Sequence, residues 1–373
     1  MKSAIVFYAA GESDANLYWA TRFLTPDPYV FVQIGSRRIV VVGDLELGRA
    51  QKQATVHEVR RLEDIEKVLK AVGNKSPGPA DVIASILIEA KVGRAEVPGE
   101  FPAWLADALR ERGFEVAPKA GVFWPAREVK ARDEVKAIEE AQEATEAAVE
   151  RAIETLRRAK IRGDRLVADG GTLTSESLRR VIDVALMERG CVARHTIVAC
   201  GDQGCDPHNA GTGPLRPHQT IIMDVFPRSN RTQYFADMTR TVVKGKASAA
   251  VKRLYEAVRE TQELGIARVR PGVDGKAIHD EVQEHFRKLG FKTAMRDGRM
   301  EGYFHGTGHG VGLDIHEAPW VTRRGGTLRE GCVVTVEPGL YYWGVGGVRL
   351  EDMVLVTRRG GRNLTRFPKF LEV

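Results

Sequence analysis

The stretch 305-HGTGHGVGLDIHE-317 places three histidines among glycines in the second half of the 373-residue chain. Glycines on both sides of His309 leave room for another backbone segment to approach closely. A single histidine in such a stretch is more often a core residue than a ligand. The stretch becomes informative because acidic residues recur before and after it along the chain.

Four acidic residues interrupt apolar, strand-like segments on either side of this stretch. They are Asp224 in TIIMDVF, Asp237 in YFADMTRT, Glu337 in VVTVEPG and Glu351 in VRLEDMVLV. A carboxylate is costly to bury unless an opposite charge pairs it, and any one of these acids alone is explained by such a pairing. Together with one or two histidines, they form a hard, oxygen-rich donor set that suits divalent cations.

The spacing of the acids predicts two hairpins. Asp237 follows Asp224 by 13 positions, which fits two strands that place both side chains on one face. Glu351 follows Glu337 by 14 positions, and PGLYYWGVGG supplies the turn between them. Two hairpins that face each other would bring the four carboxylates to one point.

At these motifs the sequence resembles the pita-bread metallopeptidases, which include prolidase, aminopeptidase P and methionine aminopeptidase, with creatinase as a metal-free relative. The resemblance covers roughly residues 129–373 and extends weakly into the first third of the chain. It rests on motifs that occur in the family's order: Asp224, DMTRT from Asp237, GHG around His309, His316-Glu317, EPG from Glu337, and Arg349-Leu350-Glu351. Several motifs in one order are far more specific than any single motif.

The resemblance implies a centre of two divalent metal ions, with manganese as the first expectation and cobalt, zinc or iron as alternatives. Its ligands would be Asp224, Asp237, His309, Glu337 and Glu351. By the same resemblance, Asp237 and Glu351 bridge the ions and His309 binds one of them. A water shared by the ions would be the nucleophile, and Glu337 would shuttle its proton.

Further roles follow from the resemblance. His208 and His316 match histidines on the substrate side and would serve catalysis and substrate binding. Arg349 matches an arginine near the substrate that braces the last ligand. Arg323, or its neighbour Arg324, lies near the position where prolidases hold the free carboxylate of a dipeptide. A loop arginine that faces solvent explains this pair equally well.

The chain departs from the family between the first two acids. The family spaces its aspartates by about two residues fewer, whereas this chain reads 224-DVFPRSNRTQYFAD-237. An insertion of two residues keeps the facing of both side chains, so both stay in the predicted ligand set. The wall of the site near residues 226–231 is where a difference is expected. His305 lies in the histidine stretch but receives no role.

The fold class expected is α+β. A pita-bread (creatinase/aminopeptidase) catalytic domain over residues 130–373 would follow a smaller α/β creatinase-like N-terminal domain over residues 1–125. Strands at AIVFY, YVFVQIG and RRIVVVGD and a helix at RLEDIEKVLKAV indicate the α/β part. Helices from Asp133, over residues 175–190 and over residues 248–269 alternate with strand-like segments in the rest. The pattern breaks over residues 118–132, which are predicted to form the linker.

Composition excludes some classes of function. The net charge of +6 comes from lysines and arginines scattered among acids, so no nucleic-acid partner is expected. No apolar run approaches the roughly 20 residues that span a bilayer, so no membrane partner is expected. The four cysteines are sparse and unpatterned, which indicates reduced thiols and a cytoplasmic location.

The sequence therefore predicts a metallopeptidase that hydrolyses Xaa-Pro bonds in proline-containing di- or oligopeptides, as a dipeptidase or an aminopeptidase. The extra N-terminal domain disfavours methionine aminopeptidase, and the complete ligand set disfavours creatinase. The family resemblance suggests a homodimer. Two alternatives stay open: a hydrolase or lyase of a small non-peptide metabolite, and a non-enzymatic binding protein on the same scaffold.

Overall fold

The structure is a computed structural model, and it describes residues 2–168 and 170–373. The chain divides into two compact units, Met1–Pro125 and Ala126–Val373. The sheets of the two units are separate, with no strand of one unit paired to a strand of the other among the described residues.

The first unit is built on a six-stranded mixed sheet of order β4-β3-β2-β1-β5-β6. Its strands are β1 (Ser3–Ala9), β2 (Tyr29–Ile34), β3 (Arg37–Val42), β4 (Glu58–Arg61), β5 (Arg94–Pro98) and β6 (Glu115–Lys119). The β1–β2 and β2–β3 pairs are antiparallel, and the β1–β5, β5–β6 and β3–β4 pairs are parallel. The three strands predicted from the sequence are confirmed as β1, β2 and β3.

Apolar side chains cover both faces of this sheet. Val6 belongs to one buried cluster and Phe7 to the other, because successive side chains of a strand point to opposite faces. The helices of this unit are α1 (Ala15–Thr21), α2 (Asp44–Gln53), α3 (Leu62–Ala71), α4 (Pro79–Glu89) and α5 (Ala103–Glu111). The predicted helix at RLEDIEKVLKAV is confirmed as α3.

The segment predicted as a linker is packed more closely than expected. β6 continues to Lys119, and Phe123 is 4% exposed with its ring centroid 4.8 Å from that of Phe7. The backbone N–H of Lys130 donates to the carbonyl of Gly331 at 2.9 Å within the second unit. The break in pattern contains the boundary between the two units, and the residues on either side of it contact their own unit.

The second unit carries two pairs of helices. They are α6 (Arg132–Arg158), α7 (Ser175–Met187), α8 (Ala249–Arg268) and α9 (Gly275–Lys288). The sequence predicted α6, α7 and α8 but missed α9. The buried stripe of α9 is narrow, with Ile278, Val282 and Phe286 at intervals of four among charged residues. Such a short stripe gives a weak periodic signal.

The strands of the second unit are antiparallel. They are β7 (Lys160–Arg162), β8 (Arg165–Ala168), β9 (Gly171–Thr172), β10 (Cys191–Val192), β11 (Ile197–Cys200), β12 (Thr220–Val225), β13 (Arg228–Ser229), β14 (Met238–Val243), β15 (Ala294–Arg296), β16 (Arg299–Glu301), β17 (Gly308–Gly310), β18 (Glu317–Val321), β19 (Val333–Val336), β20 (Gly339–Tyr342), β21 (Gly346–Arg349), β22 (Asp352–Thr357) and β23 (Gly360–Asn363). Two sheets matter for function: β11-β12-β14 and β18-β17-β19-β22-β23.

Each functional sheet is backed by one helix pair. Val149 and Ile153 of α6 share a buried cluster with Met223 of β12 and Met238 of β14. On the other side, the Gln262 side chain of α8 donates to the carbonyl of Val336 at 3.0 Å. These contacts fix the strand ends at which the acidic residues lie.

No helix within residues 2–168 and 170–373 is both long enough and apolar enough to cross a bilayer.

The α7 helix offers a matched test of the core. Leu178 is fully buried against α6, whereas Met187 on the same helix is 60% exposed. We expect Leu178→Ala to lower the free energy of unfolding by about 2–5 kcal/mol because it leaves a cavity. Met187→Ala should change it by less than about 0.5 kcal/mol. Urea unfolding followed by circular dichroism checks both, and equal shifts would contradict the packing described.

Candidate metal centre

Asp224 and Asp237 come from neighbouring antiparallel strands. Asp224 lies in β12 opposite Thr239 of β14, and Asp237 immediately precedes β14. Because side chains alternate along a strand, the three residues share one face. The connection between the two aspartates contains β13, which pairs with β10. The predicted facing of the two aspartates is confirmed.

Glu337 and Glu351 lie opposite each other, between the β19–β22 pair and the β20–β21 pair. Glu337 follows β19 and Glu351 precedes β22, in a ladder that pairs Val336 with Asp352. β20 and β21 continue the same register beyond them, which confirms the predicted hairpin. The backbone N–H of Glu351 donates to the carbonyl of Thr239 at 3.1 Å, so the two hairpins are joined.

His309 occupies the middle of β17, where the backbone is crowded. A Cβ atom at Gly308 would lie 1.9 Å from the carbonyl oxygen of Thr335, and one at Gly310 would lie 2.4 Å from that of Ala318. Only glycine fits at either position, as the sequence predicted. The backbone N–H of His309 donates to the Thr335 hydroxyl at 3.1 Å.

The side chains of these strands converge. One ligand atom each from Asp237, His309 and Glu351 lies within 4.8 Å of the other two, and all three residues are buried. His309 Nε2 is 3.7 Å from Asp237 Oδ2 and 3.5 Å from Glu337 Oε1. The Thr239 hydroxyl donates to Glu351 Oε2 at 2.7 Å, which orients that carboxylate.

The electrostatics of this cluster favour a bound cation. Burial raises the pKa of Glu337 to about 8. Burial first, and then a neighbouring carboxylate, raise the pKa of both Asp237 and Glu351 well above their ordinary values. Burial lowers the pKa of His309 to about 3, so its imidazole is neutral. A divalent cation would replace the protons that these carboxylates otherwise hold.

Asp224 is held by Arg349. Its Oδ2 accepts from Arg349 Nη2 at 2.6 Å, while its buried Oδ1 has no hydrogen-bond partner. Arg349 also donates to the Tyr341 hydroxyl at 3.0 Å. Arg349 therefore contacts the first acid directly, and its Nε lies 3.4 Å from the Thr239 hydroxyl that orients Glu351. The expectation that Arg349 braces the last ligand stays a prediction.

The donor set fits divalent metal ions. An unpartnered carboxylate oxygen on Asp224, a neutral imidazole and three carboxylates whose pKa values are raised lie at one place. Carboxylate oxygens with one imidazole suit manganese, iron, cobalt and zinc. These residues are the five that the sequence predicted as ligands.

A cavity of about 630 Å³ opens onto the cluster. His208 and His316 line it, and both are exposed, in keeping with a position on the substrate side. The His316 ring stands edge-on to that of His309, with centroids 4.3 Å apart. Phe226, from the segment where a difference from the family is expected, also lines the cavity.

His305 also lines this cavity, although the sequence assigned it no role. Its Nε2 is 2.9 Å from the Tyr341 hydroxyl, which in turn accepts from Arg349. A chain of polar contacts thus runs from His305 to Asp224. Tyr341 was missed because the sequence predicted residues 338–347 as a turn, whereas the structure places Tyr341 in strand β20. Thr239 did carry a sequence signal, because it lies two residues beyond Asp237 and therefore on the same strand face.

The two loop arginines lie apart from the cavity lining. Arg323 and Arg324 are both exposed, and Arg324 stacks over the Trp320 ring at 5.6 Å. Within residues 320–324, the described residues that line the cavity are Trp320 and Thr322.

Comparison with known proteins identifies the family. The model of metallopeptidase family M24 matches residues 136–358, which is more than half of the chain and includes all five acidic and histidine residues of the cluster. The chain belongs to metallopeptidase family M24. A curated relative, the Xaa-Pro dipeptidase of Pyrococcus furiosus, is 31% identical over 244 residues, covering 64% of each chain.

Two further comparisons define how far the likeness to this family extends. The Xaa-Pro aminopeptidase 1 of Streptomyces coelicolor is 34% identical over 266 residues, covering 64% of this chain and 52% of that one. The match therefore spans less than two thirds of either relative's length. The solved Xaa-Pro dipeptidase of Bacillus anthracis has a TM-score of 0.82 at 24% identity, covering 99% of this chain and 95% of that one. This likeness confirms the predicted pita-bread fold and its smaller N-terminal domain.

Metal loading tests the cluster directly. We expect Asp237→Ala and Glu351→Ala to abolish binding of two manganese ions per chain, because each removes a carboxylate from the point of convergence. Asp202→Ala is the control, since Asp202 is exposed, lies outside the cluster and accepts a hydrogen bond from the backbone N–H of Gly344. Metal content after chelation and reloading checks this. Two ions retained by either cluster variant would refute the grouping.

The raised pKa values predict how pH acts on metal binding. A carboxylate whose pKa is raised on folding stabilises the fold below its unfolded pKa, and this stability is lost as pH rises through the folded pKa. The metal-free protein should therefore lose stability between about pH 5 and about pH 8. The rise in melting temperature on adding manganese should grow over that range. A rise that is independent of pH would contradict it.

Proposed function

We propose that this chain is a dinuclear-metal peptidase that hydrolyses Xaa-Pro bonds. The observation that carries the proposal is the convergence of Asp237, His309 and Glu351 on one buried point beside Glu337, in a chain of family M24. The names of its relatives, Xaa-Pro dipeptidase and Xaa-Pro aminopeptidase, supply the bond preference.

The residues that would hold the two ions are Asp224, Asp237, His309, Glu337 and Glu351. When bound, two divalent ions activate water as a nucleophile near neutral pH and polarise the carbonyl that it attacks. Manganese is the metal we propose first, because the donor set is dominated by hard carboxylate oxygens.

Glu337 is proposed to move the proton. Its pKa of about 8 in the metal-free protein shows that its surroundings favour the protonated form more than water does. A carboxylate so placed accepts a proton from the attacking water and returns it to the departing nitrogen. The hydroxyl of Thr335 is 3.5 Å from Glu337 Oε1, at the limit of hydrogen-bond distance.

His208 and His316 are proposed to bind the substrate carbonyl and the intermediate that forms from it. Although part of the His316 side chain is exposed, desolvation of its ring within the cavity lowers its pKa, so the imidazole is neutral at neutral pH and donates one N–H. Both side chains line the cavity from different segments, which supports the proposal that they bind a peptide between them. Arg349, which already contacts Asp224 and Tyr341, is proposed to act on substrate through Asp224.

Arg323 is exposed and is not among the described residues that line the cavity, and its role depends on the length of the peptide substrate. A dipeptidase needs a cation for the free carboxylate of its substrate, and Arg323 is proposed for that role only if dipeptides prove to be the better substrates. We further propose that the protein is a homodimer and that it acts in the cytoplasm, in line with its four free cysteines.

Substrate specificity is tested with a matched set of peptides. The manganese-loaded protein should hydrolyse Gly-Pro or Gly-Pro-Ala, and chelation should abolish the activity. Gly-Ala and Gly-Ala-Ala are the controls. A preference for the tripeptide would indicate an aminopeptidase. Hydrolysis of neither proline peptide would refute the proposed function.

His316→Ala should lower kcat by a factor of about 10²–10³, because it removes one donor to the reacting carbonyl. Metal content should stay unchanged, since His316 stands beside His309 without belonging to the convergent group. His195→Ala, at an exposed position away from the cavity lining, is the control. Loss of bound metal in His316→Ala would show that this histidine is a ligand.

A further inference from the structure

A buried group of charges lies behind the segment that carries His316. Lys130 Nζ is 2.6 Å from Glu317 Oε1, and Arg127 Nη2 is 2.7 Å from Glu317 Oε2. The side chains of Lys130, Arg127 and Glu317 are 1%, 9% and 11% exposed. Arg127 Nη2 is also 2.7 Å from Asp314 Oδ2. The two basic residues thus hold the acids on both sides of His316.

The segment is folded closely around the Glu317 carboxylate. A Cβ atom at Gly312 would lie 2.5 Å from Glu317 Oε1, so the carboxylate fills the space beside that glycine. The backbone N–H of Gly312 donates to the carbonyl of Asp314 at 3.1 Å. The carbonyl of Gly312 accepts from the N–H of Phe235 at 2.8 Å, two residues before Asp237. The loop is therefore tied to the basic pair on one side and to the metal centre on the other.

A fully desolvated lysine is expensive to maintain unless its partner is well placed. Lys130 precedes α6 and has its backbone fixed to Gly331, so its ammonium group is aimed from a rigid point. An exposed ion pair would hold a loop weakly, because solvent screens it and both side chains lose freedom. The burial of this pair makes it suited to fix one conformation of the segment.

We propose that Lys130 and Arg127 are positioning residues that set the orientation of His316 through Glu317. Neither residue lines the cavity, so their effect reaches the substrate only through the 314–317 segment. The proposal rests on the proposed function in one respect, since His316 is taken to contact the reacting carbonyl. The placement of the His316 ring is independent of that function.

The kinetic test uses Lys130→Met, which removes the charge and leaves Arg127 on Glu317. We expect kcat for the preferred Xaa-Pro peptide to fall about 10- to 100-fold, with KM and metal content little changed, because a misplaced donor costs that order of rate. Lys130→Arg should restore most of kcat. Arg329→Met is the control, since Arg329 pairs with Glu128 in the same corner. If Lys130→Met does not fold, Arg127→Met is measured in its place.

A double-variant cycle separates positioning from general support of the fold. In the His316→Ala background, Lys130→Met should lower kcat less than about twofold further, because residues that act through one another are not additive. A full, independent loss in that background would overturn the proposal. So would loss of bound metal in Lys130→Met alone.

A crystal structure of Lys130→Met gives a readout that needs no activity. The His316 ring should leave its edge-on position 4.3 Å from His309. An unmoved ring would overturn the proposal. If the wild-type protein hydrolyses no Xaa-Pro peptide, the proposed function fails, while this structure still decides whether Lys130 positions His316.

Discussion

Electrostatic repulsion among carboxylates in a confined space is the constraint on which the rest of the second unit depends. Asp237 and Glu351 are buried, and Asp224 and Glu337 are partly buried beside them. Among the described residues that line the cavity, Arg349 is the one permanent cation, and it is committed to Asp224. Unpaired buried charge is too costly to persist, so these acids must hold either protons or metal ions.

The backbone is arranged to satisfy that constraint. Two antiparallel hairpins deliver one pair of acids each, and the hydrogen bond from Glu351 to Thr239 joins the hairpins at the point of convergence. Glycines beside His309 let β17 lie against its neighbours without steric conflict. Two helix pairs cover the outer faces, so the strand ends cannot separate without exposing core residues. The proposed metal ligands therefore lie on or beside rigid strands, whereas the two histidines proposed to bind substrate lie on the loops between them.

Much of this arrangement was predictable because it depends on local patterns. The alternation of strands gave the facing of Asp224 and Asp237 even with two extra residues, since an even shift preserves side-chain direction. The register through Glu337 and Glu351 followed from their spacing around a glycine-rich turn. The family motifs indicated the same five residues that converge in the structure and that we propose as metal ligands.

The remaining features depend on contacts between distant parts of the chain. The partner of Arg349 is Asp224 rather than Glu351, and no spacing distinguishes these two acids. The pairing of Lys130 with Glu317 joins residues 187 positions apart, so the sequence around either residue does not predict its partner. Helix α9 was missed because its apolar stripe is narrow. The packing of residues 118–132, predicted as the linker, was not predicted because composition does not show packing.

The most direct test of the account is a crystal structure of the manganese-loaded protein with anomalous scattering from the metal. The account predicts two peaks among Asp224, Asp237, Glu337 and Glu351, with His309 in contact with one of them. A single peak, or peaks outside this cluster, would contradict the claim that these carboxylates are held together by two metal ions.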